Sequence, residues 1–211
     1  MAPDPRIDAD DIPELLVLDV GGVLYRSVMP GIVAEIALAA GTDEERLRRH
    51  VDTELFHGFW SGRMSIGAFW ARLGAFAGGP ARPTEGVPGR MCPLPALARL
   101  PDWSRHVRLG VLSNHRGEWA RPALARAGVL ELLDPVLISS ETGLVKPGDA
   151  AFAQLVHLGV PPSRILYVDD RAAALRGAER AGVRTLWADP AGRWAGVLDD
   201  HLGGLRRAAT G

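Results

Sequence analysis

Four short segments of this chain carry the polar side chains best suited to chemistry. The first, residues 15–24, places Asp19 after four aliphatic residues and shortly before Gly21 and Gly22. A carboxylate is ionised at neutral pH, so it can attack phosphorus without help from a base. The two glycines allow the backbone to approach a transferred group closely. Asp19 is therefore a candidate nucleophile for phosphoryl transfer.

The second and third segments offer groups that bind phosphoryl oxygens. Ser113 and Asn114 follow the apolar run 110–112 and supply a hydroxyl and an amide. Lys146 lies in the third segment, Gly-Leu-Val-Lys-Pro, and is the single lysine among 24 basic residues. Two explanations stay open. One is arginine-rich codon usage, and the other is a need here for a compact charge that the planar guanidinium cannot imitate.

The fourth segment, residues 165–170, ends in the acidic pair Asp169 and Asp170. Together with Asp19, this pair would bring three carboxylates to one phosphate dianion, and like charges repel. A divalent cation between them removes the repulsion, and oxygen ligands beside a phosphate are typical of magnesium. The residue types therefore predict Mg²⁺ as the cofactor.

The elements around these segments predict an α/β fold. Short apolar runs predict five strands, and the stretches between them have helical periodicity and end in glycines that suit C-terminal caps. Strands that alternate with helices form a parallel sheet covered on both faces, and ligands bind beyond the carboxyl ends of its strands. Three of the four segments lie at such ends. The predicted strands are residues 14–18, 108–112, 135–138, 164–168 and 184–188.

Asp19 and Ser113 lie much further apart in the sequence than one crossover helix requires, so a further unit is inserted between them. Helical patterns at 32–40, 44–51 and 65–76 predict a small helical cap over the carboxyl edge of the sheet. A run rich in Gly and Pro leads back to the core. The predicted layout is a disordered leader at 1–13, a Rossmann-like core at 14–27 and 96–200, a cap with its return linker at 28–95, and a tail at 201–211.

Composition narrows the classes of partner. The chain has 211 residues, 47% of them hydrophobic, and a net charge of −1. Without an excess of positive charge it lacks the electrostatic attraction on which nucleic-acid or anionic-membrane binding depends, so neither partner is expected. No apolar run approaches the roughly 20 residues that span a bilayer. The single cysteine, Cys92, cannot form an internal disulfide, which fits a reducing cytoplasm. We expect a monomer or a homodimer.

The order and context of the four segments resemble the motifs of the haloacid dehalogenase superfamily of Rossmann-like hydrolases, most of which are phosphatases. The resemblance covers residues 15–189 and is to the branch with a small helical cap between the first two motifs. That branch includes sugar-phosphate phosphatases and the phosphatase domain attached to some epoxide hydrolases. The resemblance implies a magnesium-dependent phosphatase that hydrolyses a monoester of a small phosphorylated metabolite through an aspartyl-phosphate.

The resemblance also implies roles for the catalytic candidates. Asp19 would form the aspartyl-phosphate and would also hold the metal. Ser113 and Asn114 would bind the phosphoryl group, with the backbone of Gly22 close to it. Lys146 would neutralise the nucleophile and the phosphate during transfer.

Further metal ligands and substrate contacts follow from the same resemblance. Asp170 would ligate Mg²⁺ directly, with Asp169 beside it, and the backbone carbonyl of Gly21 would be a further ligand. Arg26, just past the first motif, and Arg63, in the cap, are candidates for contacting an anionic substrate.

The sequence departs from the family pattern at two positions. Gly21 stands where these phosphatases usually carry an aspartate that protonates the leaving group, a contribution typically worth about 10²–10⁴ in rate. Catalysis should then favour leaving groups that depart easily, unless His115 supplies the proton instead. Ala174 stands where relatives often place Asp or Asn to orient the metal ligands.

Two other functions stay open at this point. Gly21 and Ala174 also suit a catalytically degenerate protein that uses the fold for binding or regulation. The other is a different aspartyl-nucleophile hydrolase such as a dehalogenase. Dehalogenation is disfavoured because it needs no magnesium cluster, whereas Asp169 and Asp170 are both present.

Overall fold

One sheet of five parallel strands forms the centre of the molecule. The computed structural model describes residues 13–81 and 86–208, so residues 1–12 of the predicted leader lie outside the described residues. The strand order is β3-β2-β1-β4-β5, and the α/β fold predicted from the alternation of strands and helices is confirmed. The strands are β1 (Leu15–Leu18), β2 (Arg108–Ser113), β3 (Leu133–Ile138), β4 (Ile165–Asp169) and β5 (Arg184–Trp187).

Strand β1 occupies the centre of the sheet and is fully buried. It pairs with β2 on one side and with β4 on the other, so both of its edges are hydrogen-bonded. Leu16 and Leu18 pack into the larger core, and Leu15 and Val17 pack into the smaller one. Successive side chains of a strand point to opposite faces, and burial on both faces explains why this strand is an unbroken aliphatic run.

Helices cover the sheet and form the insertion after β1. None of the helices within the described ranges is both long and apolar enough to cross a bilayer. They are α1 (Met29–Ala40), α2 (Glu44–His50), α3 (Phe56–Trp60), α4 (Ile66–Ala77), α5 (Val87–Arg90), α6 (Leu100–Trp103), α7 (Gly117–Arg126), α8 (Ser139–Thr142), α9 (Asp149–Val156), α10 (Ala172–Arg180) and α11 (Arg193–Ala208).

Helices α1 to α4 form a cap between β1 and β2. Asp43 and Ser65 precede α2 and α4 as N-caps, and their side-chain oxygens accept hydrogen bonds from the backbone amides of Arg46 and Ala68. Gly41 ends α1 in the left-handed conformation, with φ at 63°. Capping residues of these types mark helix ends, and α1, α2 and α4 lie close to the three helical patterns predicted for the cap.

The second predicted cap helix, 44–51, continues further than its periodicity indicates. Helix α2 leads into a π-helical turn, Val51–Leu55, and from there directly into α3. A π turn closes its hydrogen bonds over five residues, so it interrupts the 3.6-residue period on which the prediction rests. The continued segment brings Phe59 and Trp60 into the larger core.

Two other segments differ from their predictions. The return linker contains α5, and Arg126 of α7 donates a hydrogen bond to the carbonyl of Pro88 at 2.8 Å. Residues 201–208, predicted as a tail, continue α11, and Leu202 is 1% exposed within the larger core. Burial of an apolar side chain against distant elements holds the helix in place there, and composition alone does not reveal such a contact.

Candidate active site

The carboxyl ends of three neighbouring strands bring the predicted site residues together. Asp19 follows β1, Ser113 ends β2, and Asp169 ends β4 with Asp170 directly after it. A cavity of about 580 Å³ opens at this edge, between the strand ends and helices α1 to α3 of the cap. A volume of this size is ordinary for a small-molecule site.

Lys146 is the most heavily bonded side chain of the site. Its Nζ donates to Oδ2 of Asp169 at 2.7 Å and to the hydroxyl of Tyr167 at 2.6 Å. It also donates to the carbonyl of Leu112 at 3.0 Å and lies 3.2 Å from Oδ1 of Asp19. An ammonium directs its three hydrogens to acceptors around a point, whereas a guanidinium directs its hydrogens in one plane. The geometry therefore favours a lysine at this position.

Tyr167 was not among the predicted site residues. Its hydroxyl accepts from Lys146 and donates to Oδ2 of Asp169. Burial, together with the charge of Asp169, holds the pKa of Tyr167 well above its ordinary value, so the hydroxyl stays protonated. Tyr167 lies two residues before Asp169 on β4, hence on the same face of the strand, and that spacing could have identified it.

Asn114 holds the loop that carries Lys146. Its Oδ1 accepts from the amide nitrogen of Lys146 at 2.9 Å, and its Nδ2 donates to the carbonyl of the same residue at 2.8 Å. Both polar atoms of the side chain are thus engaged with the lysine backbone. Asn114 therefore positions Lys146, and its contact with the phosphoryl group stays a prediction.

Ser113 lies beside the candidate nucleophile. Its hydroxyl oxygen is 3.4 Å from the amide nitrogen of Val20, and its hydrogen bond to Asp19 lowers the pKa of that carboxyl. The amide of Val20 donates to Oδ1 of Asp19 at 2.7 Å. Ser113 is 1% exposed, so in this structure its described contacts are with the nucleophile segment.

The charges of the site are strongly coupled. Burial raises the pKa of Asp19 to about 6; Lys146 opposes this rise and Asp169 adds to it. Burial and the charge of Asp169 also raise the pKa of Asp170. Burial alone would lower the pKa of Lys146, but the carboxylates of Asp19 and Asp169 outweigh it and raise that pKa. Three carboxylates around one ammonium leave excess negative charge, which a cation would offset.

The carboxylates are close enough to share a metal ion. Ligand oxygens of Asp19, Asp169 and Asp170 all lie within 4.8 Å of one another. Asp169 is already engaged, because its Oδ1 accepts from the amide of Arg171 at 2.7 Å while Oδ2 bonds to the lysine and tyrosine described above. Asp19 and Asp170 therefore fit a magnesium ion best. The carbonyl of Gly21 stays a predicted ligand; it accepts no hydrogen bond from the described residues, and Gly21 borders the cavity.

The two glycines after the nucleophile differ in what they permit. Gly22 has a φ of 80°, and a Cβ there would overlap the carboxylate of Asp170, so glycine is required. At Gly21 the nearest atom to an added Cβ is Oγ of Ser27 at 3.4 Å, which is ordinary contact. Crowding at the Cβ therefore does not exclude an aspartate at position 21. Ala174, the second departure, also borders the cavity and offers no ligand atom on its side chain.

His115 borders the cavity but is 6% exposed. Burial lowers its pKa to about 4; the hydrogen-bond contact with the Arg116 backbone opposes this fall, and the nearby charge of Lys146 adds to it. The imidazole is therefore neutral at pH 7 and has no imidazolium proton to give to a leaving group. The idea that His115 replaces the missing acid in that way is not supported by its surroundings.

The arginines near the cavity differ from those predicted. Arg26 and Arg63 are exposed and do not border it, whereas Arg48 of α2 and Arg171 do. Arg171 lies with its guanidinium carbon 5.6 Å from the ring of Phe56. Its position directly after the acidic pair is a sequence signal that could have identified it. No such sequence signal identifies Arg48, because only the packing of the cap brings α2 over the cavity.

Comparison with known proteins agrees with this fold and site. The family model of haloacid dehalogenase-like hydrolases matches residues 97–188, which include the second, third and fourth motifs. Phosphoserine phosphatase from Thermus thermophilus is 37% identical over 87 residues, 40% of this chain and 35% of that protein. Validoxylamine A 7'-phosphate phosphatase from Streptomyces hygroscopicus is 29% identical over 121 residues, which are 56% of this chain and 54% of that protein. The matches thus span about a third to a half of these relatives.

Solved structures share the fold over most of the chain. A HAD-like family hydrolase from Porphyromonas gingivalis has a TM-score of 0.72 at 22% identity, covering 90% of this chain and 98% of its own. A HAD family enzyme from Bacteroides thetaiotaomicron, in complex with magnesium and inorganic phosphate, has a TM-score of 0.67 at 17% identity over 84% and 95%. L-2-haloacid dehalogenase from Xanthobacter autotrophicus has a TM-score of 0.58 at 20% identity over 82% and 76%. The chain is therefore similar to haloacid dehalogenase-like hydrolases over residues 97–188 and shares the fold of such proteins over most of its length.

Proposed function

We propose that the protein is a magnesium-dependent phosphatase that hydrolyses a monoester of a small metabolite through an aspartyl-phosphate on Asp19. The observation that carries the proposal is the position of Lys146, whose Nζ lies 3.2 Å from Asp19 and 2.7 Å from Asp169. A buried cation there can offset charge on the nucleophile and on a phosphoryl group together. The phosphatases among the relatives support the same reaction.

The proposed chemistry has two steps. A carboxylate oxygen of Asp19 attacks phosphorus, the ester bond breaks, and the leaving oxygen keeps the electron pair. Water then cleaves the acyl phosphate and regenerates the carboxylate. The charge of Lys146 acts strongly because the side chain is 4% exposed and little water screens it. Only ionised Asp19 can attack, and a cation bound beside it lowers its raised pKa.

Asp19, Asp170 and the carbonyl of Gly21 are the groups that would hold Mg²⁺. When bound, the ion offsets negative charge between the carboxylates and the phosphoryl oxygens. Asp169 supports this set by fixing Lys146 and by accepting from the amide of Arg171, the residue after Asp170. The structural neighbour that holds magnesium together with inorganic phosphate is compatible with the proposal.

Gly21 predicts a preference among substrates. Without a carboxylic acid at this position the leaving oxygen departs unprotonated, which forfeits a contribution of about 10²–10⁴ in rate. Aryl, acyl and anomeric sugar phosphates should therefore be hydrolysed faster than simple alkyl phosphates. The proposed partner is a small phosphorylated metabolite, without nucleic acid or membrane. A cytoplasmic location and a monomeric or homodimeric state stay predictions from the sequence.

A phosphate-release screen tests the proposal. Sugar, nucleotide, acyl and aryl phosphates are incubated with the protein in Mg²⁺ and in excess chelator, and we expect release only with the metal. Asp170→Asn should raise the Mg²⁺ concentration for half-maximal rate by more than about 100-fold, the upper range for outer-sphere partners of a metal. Asp102→Asn, an exposed carboxylate outside the cavity lining, is the control. No release from any phosphate with Mg²⁺ would contradict the proposal and favour a binding or regulatory protein.

A further inference from the structure

His115 has one ring nitrogen, Nε2, for which the described residues supply no hydrogen-bond partner. The amide nitrogen of Arg116 lies 3.0 Å from Nδ1, and its carbonyl oxygen lies 3.2 Å away. Nδ1 can donate to that carbonyl or accept from that amide, and the shorter contact, to the amide, favours the tautomer in which Nδ1 accepts. A neutral imidazole has one acceptor and one N–H, which places the hydrogen on Nε2. No hydrogen bond within the described part of the chain reaches that Nε2.

The ring lies at the junction of the core and the cap. His115 follows Asn114 directly, and its amide donates to Oγ of Ser139 at 3.1 Å. The hydroxyl of Ser139 donates in turn to the carbonyl of Trp60 in α3 at 2.7 Å. The imidazole centre is 5.9 Å from the ring centre of Trp60 and 6.1 Å from that of Trp119. These contacts hold His115 between the phosphoryl site on the strand ends and the cap.

A substrate bound in the cavity would extend from the strand ends past His115 toward the cap. Its phosphoryl group belongs beside Asp19 and Lys146 on the core, so its leaving group occupies the space toward the cap. His115 and Trp60 both border that space. The unpartnered Nε2–H is therefore available to an oxygen on the leaving-group side. Because burial keeps the imidazole neutral at pH 7, it can donate a hydrogen bond without transferring a proton.

We infer that His115 is a further catalytic residue, whose neutral Nε2–H donates a hydrogen bond to the leaving-group oxygen of the phosphate ester. The inference rests on the proposed phosphatase function and deepens it. In the step, the bond from phosphorus to Asp19 forms and the bond from phosphorus to the leaving oxygen breaks. The oxygen keeps the electron pair, is stabilised by the donor, and takes its proton from water. His115 itself ends the step unchanged.

This role makes a specific kinetic prediction. Negative charge on the leaving oxygen grows as its conjugate acid becomes weaker, so the donor should matter most for poor leaving groups. His115→Phe keeps a planar ring beside Trp60 and Trp119 but removes the N–H. We expect kcat to fall by about 10²-fold for the poorest leaving groups of an aryl phosphate series, the usual effect of losing one donor to a developing oxyanion, and by much less for the best. His115→Gln should restore part of the loss, because its amide can donate.

His157→Phe is the matched control, since His157 is exposed at the end of α9 and does not border the cavity. It should leave the whole series unchanged. If His115→Phe lowers kcat by the same factor for every leaving group, the inference is overturned, because such a result indicates a structural role for His115. Native protein that releases no phosphate would contradict the proposed function as well, so the two failures are distinguishable.

The tautomer offers a test that does not depend on turnover. Long-range ¹H–¹⁵N correlation spectra of the native protein should show the His115 ring neutral at pH 7 with its hydrogen on Nε2. A ring with the hydrogen on Nδ1, or a protonated ring at pH 7, would overturn the inference even if the protein is an active phosphatase. This measurement also decides the matter if His115→Phe fails to fold.

Discussion

The cavity has two sides, the core wall at the strand ends and the cap wall on α1 to α3, and they differ in the kind of side chain that forms them. On the core wall, polar side chains from separate strands and loops bond one another, with Lys146 joined to both Asp19 and Asp169. The cap wall is largely apolar and aromatic, and Phe56 and Trp60 border the cavity there. This difference in composition indicates that the two walls have different roles. Under the proposed function, the core wall would hold charged groups in fixed positions for phosphoryl transfer, whereas the cap wall would set the size and shape of the leaving group.

The cap wall also has two charged residues at the cavity, but they stand in a different environment. Arg48 and Asp52 border it from α2 and the π-helical turn, and both are exposed. Water screens charges of this kind, so their electrostatic effect is small. Lys146 and Asp19 are buried, and the same charge has a much larger effect there.

Asp19→Asn should have the largest effect. The amide keeps the shape of the carboxylate but cannot attack phosphorus, so kcat should fall by at least about 10⁴-fold. The fold should survive, because the change removes a buried carboxylate while Lys146 stays paired with Asp169. Phosphate release and thermal melting measure the two effects. Asp52→Asn on the cap wall is the matched control and should cost less than about tenfold; similar losses in both variants would remove the distinction between the walls.

Lys146→Arg should have the next largest effect. Charge is kept, but the guanidinium cannot direct hydrogens to the acceptors that surround Nζ, so kcat should fall by about 10²–10³-fold, nearly as far as in Lys146→Ala. Arg48→Lys makes the reverse exchange on the cap wall and should change kcat less than about threefold. A fully active Lys146→Arg variant would mean that codon usage alone explains the single lysine.

His115, at the boundary between the walls, should make stability depend on pH. Its pKa is about 4 in the folded protein against an ordinary 6.5, so between these values the unfolded chain binds a proton that the native state does not. The stabilisation is complete above pH 6.5 and is lost as the pH falls toward 4, a change on the order of 3 kcal/mol. Urea unfolding at pH 7 and at pH 4.5 should show the native protein losing stability relative to His115→Phe. Equal differences at the two pH values would show that the His115 ring is not buried as described.

Phe56→Ala should have the smallest effect and should alter selectivity. Removing this ring opens the cap wall, so kcat/KM for a bulky aryl phosphate should fall by about tenfold. For acetyl phosphate, whose leaving group is too small to fill the cap side, it should hardly change. Phe76→Ala removes a cap aromatic that stacks on His50 and does not border the cavity, so it controls for loss of cap stability. An equal fall for both substrates would contradict the division between the walls.

Much of the core wall could be predicted from the sequence. Asp19, Ser113 and the pair Asp169 and Asp170 each follow an apolar run, and parallel strands carry their carboxyl ends to one edge of the sheet. Their proximity therefore follows from local pattern and fold class together. The orientation of Asn114 does not follow, because its partner is the backbone of a loop far along the chain.

The arginines that border the cavity, in contrast, could not be predicted from the sequence. Arg26 and Arg63 are predicted from their place in the sequence, but they do not border the cavity, and Arg48 and Arg171 border it instead. A helix presents one face to its surroundings, and the packing of the cap on the core decides which face meets the cavity. Neither periodicity nor composition contains that information.

The sequence by itself determined the α/β fold, the edge of the sheet at which the site lies, and the residue types of a phosphoryl-transfer site, because each depends on short-range pattern. Tertiary structure alone decided that Tyr167 joins the bonds around Lys146 and that His115 is neutral. Both outcomes depend on burial and on distances between segments remote in the chain. Burial changes the cost of a charge far more than any sequence neighbour does, and it exists only once the chain has packed.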